Sequence, residues 1–221
     1  MSVMGRRVQA AVLALFSVLA LLVTGCTGAA GTNTSTVAVA DSAPSISTVP
    51  ASARPTPTVR AYPVDVPLTG HNVKPGEKPP LYPAAAKART QAGANAFAEF
   101  YMRTLDWAYA TTNPSYLKHY TGSTCGLCTG LATGISKTAA QHHWYMGGRF
   151  TVHVPTSTSV APVTAPADFC SIVAIDETAE SVVDVSGHVF SGDGAHTGDR
   201  LKVCTFTSAD SSKVTYMAFL K

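Results

Sequence analysis

Residues 142–154 read HHWYMGGRFTVHV, and the change of rhythm inside them decides the fold. Up to Met146 the chain keeps a helical spacing, with Leu127, Leu131, Ile135, Ala139, His142 and Met146 along one stripe. After Gly147-Gly148 the period becomes two. Phe150, Val152 and Val154 alternate with Arg149, Thr151 and His153, the pattern of a half-buried strand. Helices before this point and strands after it predict an α+β domain.

Upstream, the region from Ala84 to about Thr112 lacks proline, is rich in alanine, and places Phe97, Phe100, Tyr101, Leu105 and Ala108 at helical spacing. Pro83 stands just before it, where a missing N–H costs nothing. Gly93 weakens this helix by about 1 kcal/mol relative to alanine, so a close backbone neighbour is the expected reason for it. Trp107 and Tyr109 make its last turns aromatic and read as core or cavity lining. Asn113-Pro114 opens a short second helix carrying Tyr116, Leu117 and Tyr120. A third is predicted from Cys125 or Thr129 to Met146, with Gly147-Gly148 as its stop. Downstream, strands are expected at about 157–163, 169–176, 180–190, 199–208 and 213–220. Turns fall at Ser191-Gly192-Asp193-Gly194 and Ser208-Ala209-Asp210-Ser211-Ser212. Short connections imply antiparallel neighbours. Residues 84–221 thus read as three N-terminal helices packed on an antiparallel sheet, long enough to bury a core of their own.

The chain before residue 84 has three parts. Residues 1–25 carry Arg6 and Arg7, then an uncharged run from Val8 to Val23, shorter than the roughly 20 residues a bilayer-spanning helix needs. The run ends in Leu22-Val23-Thr24-Gly25-Cys26. This pattern resembles a bacterial lipobox, which implies cleavage before Cys26 and attachment of diacylglyceryl to its thiol. Several acyl chains, each methylene contributing about 0.8 kcal/mol, would hold the protein on the outer face of the cell membrane. Residues 26–60 are Ala, Thr, Ser, Pro, Val and Gly with almost no charge. Such a stretch has no face to bury and reads as a disordered tether, about 30–35 Å across as a coil. Its Ser/Thr/Pro composition also suits O-glycosylation. Residues 61–83 remain proline-rich but add Tyr62, Leu68, Leu81 and Tyr82, which predicts an arm lying over the domain.

Loss of Arg6 and Arg7 from the 16 basic residues would leave 14 against 13 acidic ones. That balance offers no basic stripe for nucleic acid. With Cys26 lipidated, Cys125, Cys128, Cys170 and Cys204 remain, an even set that in an exported domain implies two disulfides. Three pairings exist. The favoured one joins Cys125 to Cys128, and Cys170 to Cys204 across two predicted strands. A redox reading of Cys125-Gly126-Leu127-Cys128 at a helix start lacks the surrounding strand–helix–strand pattern, and a zinc reading lacks further ligands at suitable spacing. Asp193-x-x-His196-x-x-Asp199 reads as a solvated turn. Phosphate-loop, nucleophile-elbow and zinc-protease motifs are absent, and no cofactor or metal is expected.

The order of elements resembles the NTF2-like, SnoaL-like cone, in which a curved sheet wraps a long first helix. More narrowly, Tyr82-Pro83, Gly93 with Phe97, Leu105-Asp106-Trp107 and Cys125-x-x-Cys128 resemble a family of uncharacterised actinobacterial lipoproteins with a domain of unknown function, across about residues 62–221. The cone implies a pocket between helix and sheet, for which Tyr101, Trp107 and His142 are the candidate lining residues; Asp106, Tyr109, Asp184 and His188 are further polar candidates. The leading expectation is a non-catalytic envelope lipoprotein that binds an envelope partner or a small apolar molecule. The alternative is a small isomerase- or lyase-like enzyme with a polar group inside the cone. An enclosed pocket holding an Asp and a His or Tyr within hydrogen-bond reach would favour the enzyme; a pocket filled by Phe, Trp and Tyr would count against it.

Overall fold

One long helix, α1 (Gln91–Thr111), lies at the centre of the folded chain and is buried on most of its circumference. The computed structural model describes residues 62–158, 167–208 and 211–220; the leader 1–25, Cys26, the tether 26–60 and most of the strand expected at 157–163 lie outside them. The helix expected from Ala84 comes in two pieces. Ala84–Lys87 form a single 3-10 turn, and α1 starts afresh at Thr90, whose hydroxyl accepts the Gly93 N–H at 3.1 Å. Gly93 explains the break. A Cβ there would sit 2.0 Å from the Ala88 carbonyl oxygen, so the turn folds back onto the helix only because position 93 has no side chain.

Two shorter helices follow, α2 (Ser115–Tyr120) and α3 (Gly126–Ala140). Asn113 opens α2 by accepting the Ser115 N–H on Oδ1 at 2.9 Å. The predicted extension of α3 to Met146 is a correction. The helix closes at Ala140 in a Schellman arrangement: His143 N–H donates to the Thr138 carbonyl and His142 N–H to the Ala139 carbonyl, with His142 left-handed at φ 57°. The predicted stripe is corrected with it, since α3 buries only Cys128, Ala132 and Ile135, while Met146 is exposed.

Eight strands complete the described fold: β1 (Trp144–Gly147), β2 (Phe150–Val152), β3 (Thr156–Thr158), β4 (Phe169–Glu177), β5 (Glu180–Val183), β6 (Val189–Asp193), β7 (His196–Thr207) and β8 (Ser212–Phe219). All pair antiparallel, in a five-stranded sheet β2-β4-β7-β8 with β3 also on β4, and a three-stranded sheet β1-β5-β6. The register passes unbroken from one sheet to the other. β1 and β5 end at Gly147↔Glu180, and β2 and β4 resume at Phe150↔Glu177 with no residue gained or lost on either chain. The same holds between Glu180↔Asp193 and Glu177↔His196. Gly148 N–H to Ala179 O (3.0 Å) and Thr178 N–H to Arg149 O (3.1 Å) bridge the gap. The two sheets are thus halves of one ladder folded at a crease. Gly147 and Gly148, at φ 71° and 62°, make that crease; a Cβ on Gly147 would fall 2.0 Å from the Ala179 carbonyl oxygen. The glycines expected to stop a helix therefore bend a sheet.

The strand expected at 180–190 is likewise two strands. Asp184 Oδ1 accepts the Ser186 and His188 N–H groups at 2.8 and 3.1 Å, closing a turn with Gly187 at φ 80°. The turn expected at Ser191–Gly194 is displaced, because β6 runs through Asp193.

α1 packs on β1, β2, β4 and β7, and on α2 from its other side. Residues 62–83 are almost without regular structure, yet hydrogen bonds pin them along their length. Pro67 O accepts from Trp107 Nε1 at 3.0 Å, Asn72 Nδ2 donates to Gly147 O at 2.6 Å, and Pro80 O accepts from the Tyr116 hydroxyl at 2.8 Å.

Candidate functional site

The residues singled out in the sequence separate in space. Tyr101 is fully buried in the core, its hydroxyl hydrogen-bonded to Thr121 Oγ1 at 2.8 Å. Trp107 is also core, its indole spent on Pro67. His142 is exposed in the turn after α3. None of the three is in the wall of either cleft described below. The space between α1 and the sheets is occupied by Phe97, Tyr101, Met102 and Leu105 packed with Val173, Leu201, Val203 and Val214. Burial pushes the Tyr101 phenol up, opposed by its bond to Thr121.

The cysteines pair as favoured. Cys170 and Cys204 are direct partners across β4 and β7 and form one disulfide. Cys125 and Cys128 form the other at the start of α3, where Cys125 Sγ accepts the Cys128 N–H at 3.3 Å. All four are buried, unlike the accessible sulfur of a redox-active pair.

Two polar constellations escaped the sequence reading. The first lines the crease. Arg149 donates through Nε and Nη2 to Asp106 at 3.0 and 2.8 Å, through Nη1 to Asn72 O at 3.0 Å, and to both oxygens of Glu77. The two carboxylates raise the guanidinium pKa further, and the Arg149 hydrogen bond in turn holds Glu77 below its usual range. Beside them Glu177 ends β4, 6% exposed, with Glu180 beginning β5. Burial, then the charges of Glu180, Asp193, Asp199 and Asp106, push Glu177 up to about 8; burial and Asp193 raise Glu180 as well. Tyr109, whose ring meets Tyr145 edge-on at 4.7 Å, is raised well above the usual phenol range by its own burial, then by Tyr145, Glu180 and Glu177. His196 and Asp193 approach to 3.5 Å nearby. Among the described residues no cluster of His, Cys, Asp and Glu has the arrangement of a metal site. A readable signal for Glu177 existed: it continues the buried face of β4 through Ser171, Val173 and Ile175, so an acid falls where the period of two demands an inward side chain.

The second constellation is a half-open cleft of about 350 Å³ where the arm, the 3-10 turn, α2 and the β7–β8 hairpin meet; Tyr82, Lys87, His119, Tyr120, Ser208 and Ser211 are among its walls. Tyr82 and Tyr120 stack with centroids 5.5 Å apart. The Tyr82 hydroxyl donates to Ala86 O and meets Ser212 Oγ, both at 3.2 Å. A neighbouring cleft of about 340 Å³ lies between the start of α3 and β8, with Thr124, Phe206 and Lys213 in its walls. Lys213 connects the two: its stem lines the second while its ammonium donates to the carbonyl of His119, 6.0 Å from the Tyr120 ring centre. Burial, then the Lys213 charge, lowers the His119 pKa, and burial lowers that of Lys213. Nothing in local sequence marks this cleft, because its walls come from positions more than 120 residues apart.

No helix among the described residues is long and apolar enough to cross a membrane. No curated protein matches the chain. The chain belongs to DUF6318, a family of unknown function whose match spans residues 72–210, and so takes in α1, the crease and most of both clefts' walls.

Proposed function

We propose that this member of DUF6318 is a lipid-anchored protein of the actinobacterial cell envelope, whose folded region has the NTF2-like cone form and binds a ligand or partner without catalysis. The observation that carries the reading is the filled interior. Enzymes on the cone use a pocket between the long helix and the sheet, and here Phe97, Tyr101, Met102 and Leu105 occupy that space at 0–3% exposure. The alternative, an isomerase- or lyase-like enzyme, needs a proton-transfer group open to a cavity. Glu177, whose carboxyl is pushed up to about 8, is in the wall of neither cleft. Contact with a ligand then falls to the surface, where the cleft beside Tyr82 offers a concavity of about 350 Å³. Cys26 and the Ser/Thr/Pro-rich stretch after it support a tether from the membrane.

In-cell crosslinking of the full chain followed by mass spectrometry tests the binding role, with one recurrent envelope partner or ligand as the expected result. Metabolic labelling with a lipid precursor tests the anchor: the wild-type chain takes up label and Cys26→Ala does not. Label on the Cys26→Ala protein, or absence of label from both, overturns the anchor.

A further inference from the structure

Three groups in the cleft beside Tyr82 have no partner among the described residues. The Lys87 ammonium makes no ion pair or hydrogen bond, the Ser211 hydroxyl makes no hydrogen bond, and the His119 ring nitrogens make none, the ring only meeting Tyr120 edge-on at 4.7 Å. Other hydroxyls there are committed. Ser208 Oγ donates to Ser211 O at 2.9 Å, and Thr207 Oγ1 shares a hydrogen bond with Ser212 Oγ at 3.1 Å. No acidic residue is in the described wall, and Lys213, half-buried against the His119 carbonyl, has no carboxylate within ion-pair distance among the described residues. Among the described residues these two ammonium groups have no carboxylate partner, and a positive local field draws in anions.

We infer that this cleft binds an acidic sugar, its carboxylate or phosphate held by Lys87 and its hydroxyls taken by Ser211 and His119 against the Tyr82 ring. Size supports a small ligand, since about 350 Å³ is at the lower end of ligand cavities. A purely apolar ligand would cover the imidazole and the hydroxyl without giving either a partner. A bare anion would leave the aromatic wall unused, whereas the apolar face of a sugar ring packs on tyrosine while its hydroxyls meet Ser211 and His119. The ligand class rests on the binding role proposed above.

Calorimetric titration of the full chain with glucuronate, glucose 6-phosphate, glucose and inorganic phosphate tests it. Both acidic sugars should bind about tenfold more tightly than glucose and than phosphate alone. Lys87→Glu, on an exposed turn where the fold does not depend on it, should remove that preference, and Ser211→Ala should weaken all sugars alike. Equal affinity for glucose and glucuronate, equal affinity for phosphate and glucose 6-phosphate, no binding by any probe, or no effect of Lys87→Glu would each overturn the inference. Those failures leave the anchor and the crosslinked partner standing, whereas loss of the lipid label removes the envelope reading and leaves the titration intact.

Discussion

Glu177 shows what a single residue costs when its strand turns it inward. Its carboxyl is pushed from the ordinary range up to about 8 by burial first and by four neighbouring acids next. Folding therefore favours the protonated form. Its contribution to stability is full below the unfolded value near 4.5 and is lost as pH rises through about 8. Glutamine keeps the shape and stays neutral. Glu177→Gln should match the wild type near pH 4 and exceed it by on the order of 2 kcal/mol near pH 9, read from denaturant melts across that range. Glu180 is raised by the same surroundings, so the variant's slope with pH should flatten rather than vanish. Parallel loss of stability in the two proteins would show that Glu177 does not carry the effect. Arg149 is the opposite case at the same crease: its charge is matched by Asp106 and Glu77, and its neighbour Phe150 donates its N–H to Asp106 Oδ1 at 2.9 Å.

Among elements, α1 was the most legible. Its aromatic stripe and the close neighbour of Gly93 could be read from spacing and residue type because helical contacts are local; its start could not, since Pro83 opens only the 3-10 turn and Thr90 caps α1. β1 was illegible for the converse reason. Trp144–Gly147 has no alternation of its own and becomes a strand by pairing with Glu180–Val183, some forty residues later. The end of α3 depends on His142 taking a left-handed conformation that a glycine would have announced and a histidine does not. The disulfides belong to this scale too. The Cys170–Cys204 bridge closes a sequence separation of 34 and the Cys125–Cys128 bridge one of 3. In the chain-entropy account the first contributes about 4 kcal/mol and the second about 2 kcal/mol. Removing Cys170 and Cys204 together by alanine should lower the denaturation midpoint clearly more than removing Cys125 and Cys128. A larger loss from the short bridge would mean that it fixes more than the start of α3.

For the whole molecule, the folded unit extends N-terminal to the first helix. Residues 62–83 supply acceptors to Trp107, Arg149 and Tyr116 and rings to the core: Tyr62 meets Tyr116 at 5.8 Å, and Tyr82 meets Phe100 at 5.3 Å. A chain starting at residue 62 should melt cooperatively with the midpoint of the full chain. One starting at residue 84 leaves the Trp107 and Tyr116 donors and the Arg149 guanidinium short of partners, and should lose several kcal/mol or fail to fold. Circular dichroism melts of the two truncations decide this; equal stability would show that the arm is an ornament rather than part of the core.

What the sequence by itself determined are features whose cause is local or compositional. These are the helical centre with its aromatic stripe, the switch to a period of two, the antiparallel order, and four cysteines after residue 84, two of them in predicted strands. What only the tertiary structure decided depends on residues far apart in the chain. The crease needs two glycines set against Ala179 and Glu180. The filled interior needs α1 seated on strands of both sheets. The cleft draws its cations and hydroxyls from the turn before α1, from α2 and from the last hairpin. Periodicity reports which face of an element is buried, but it carries no record of which element does the burying.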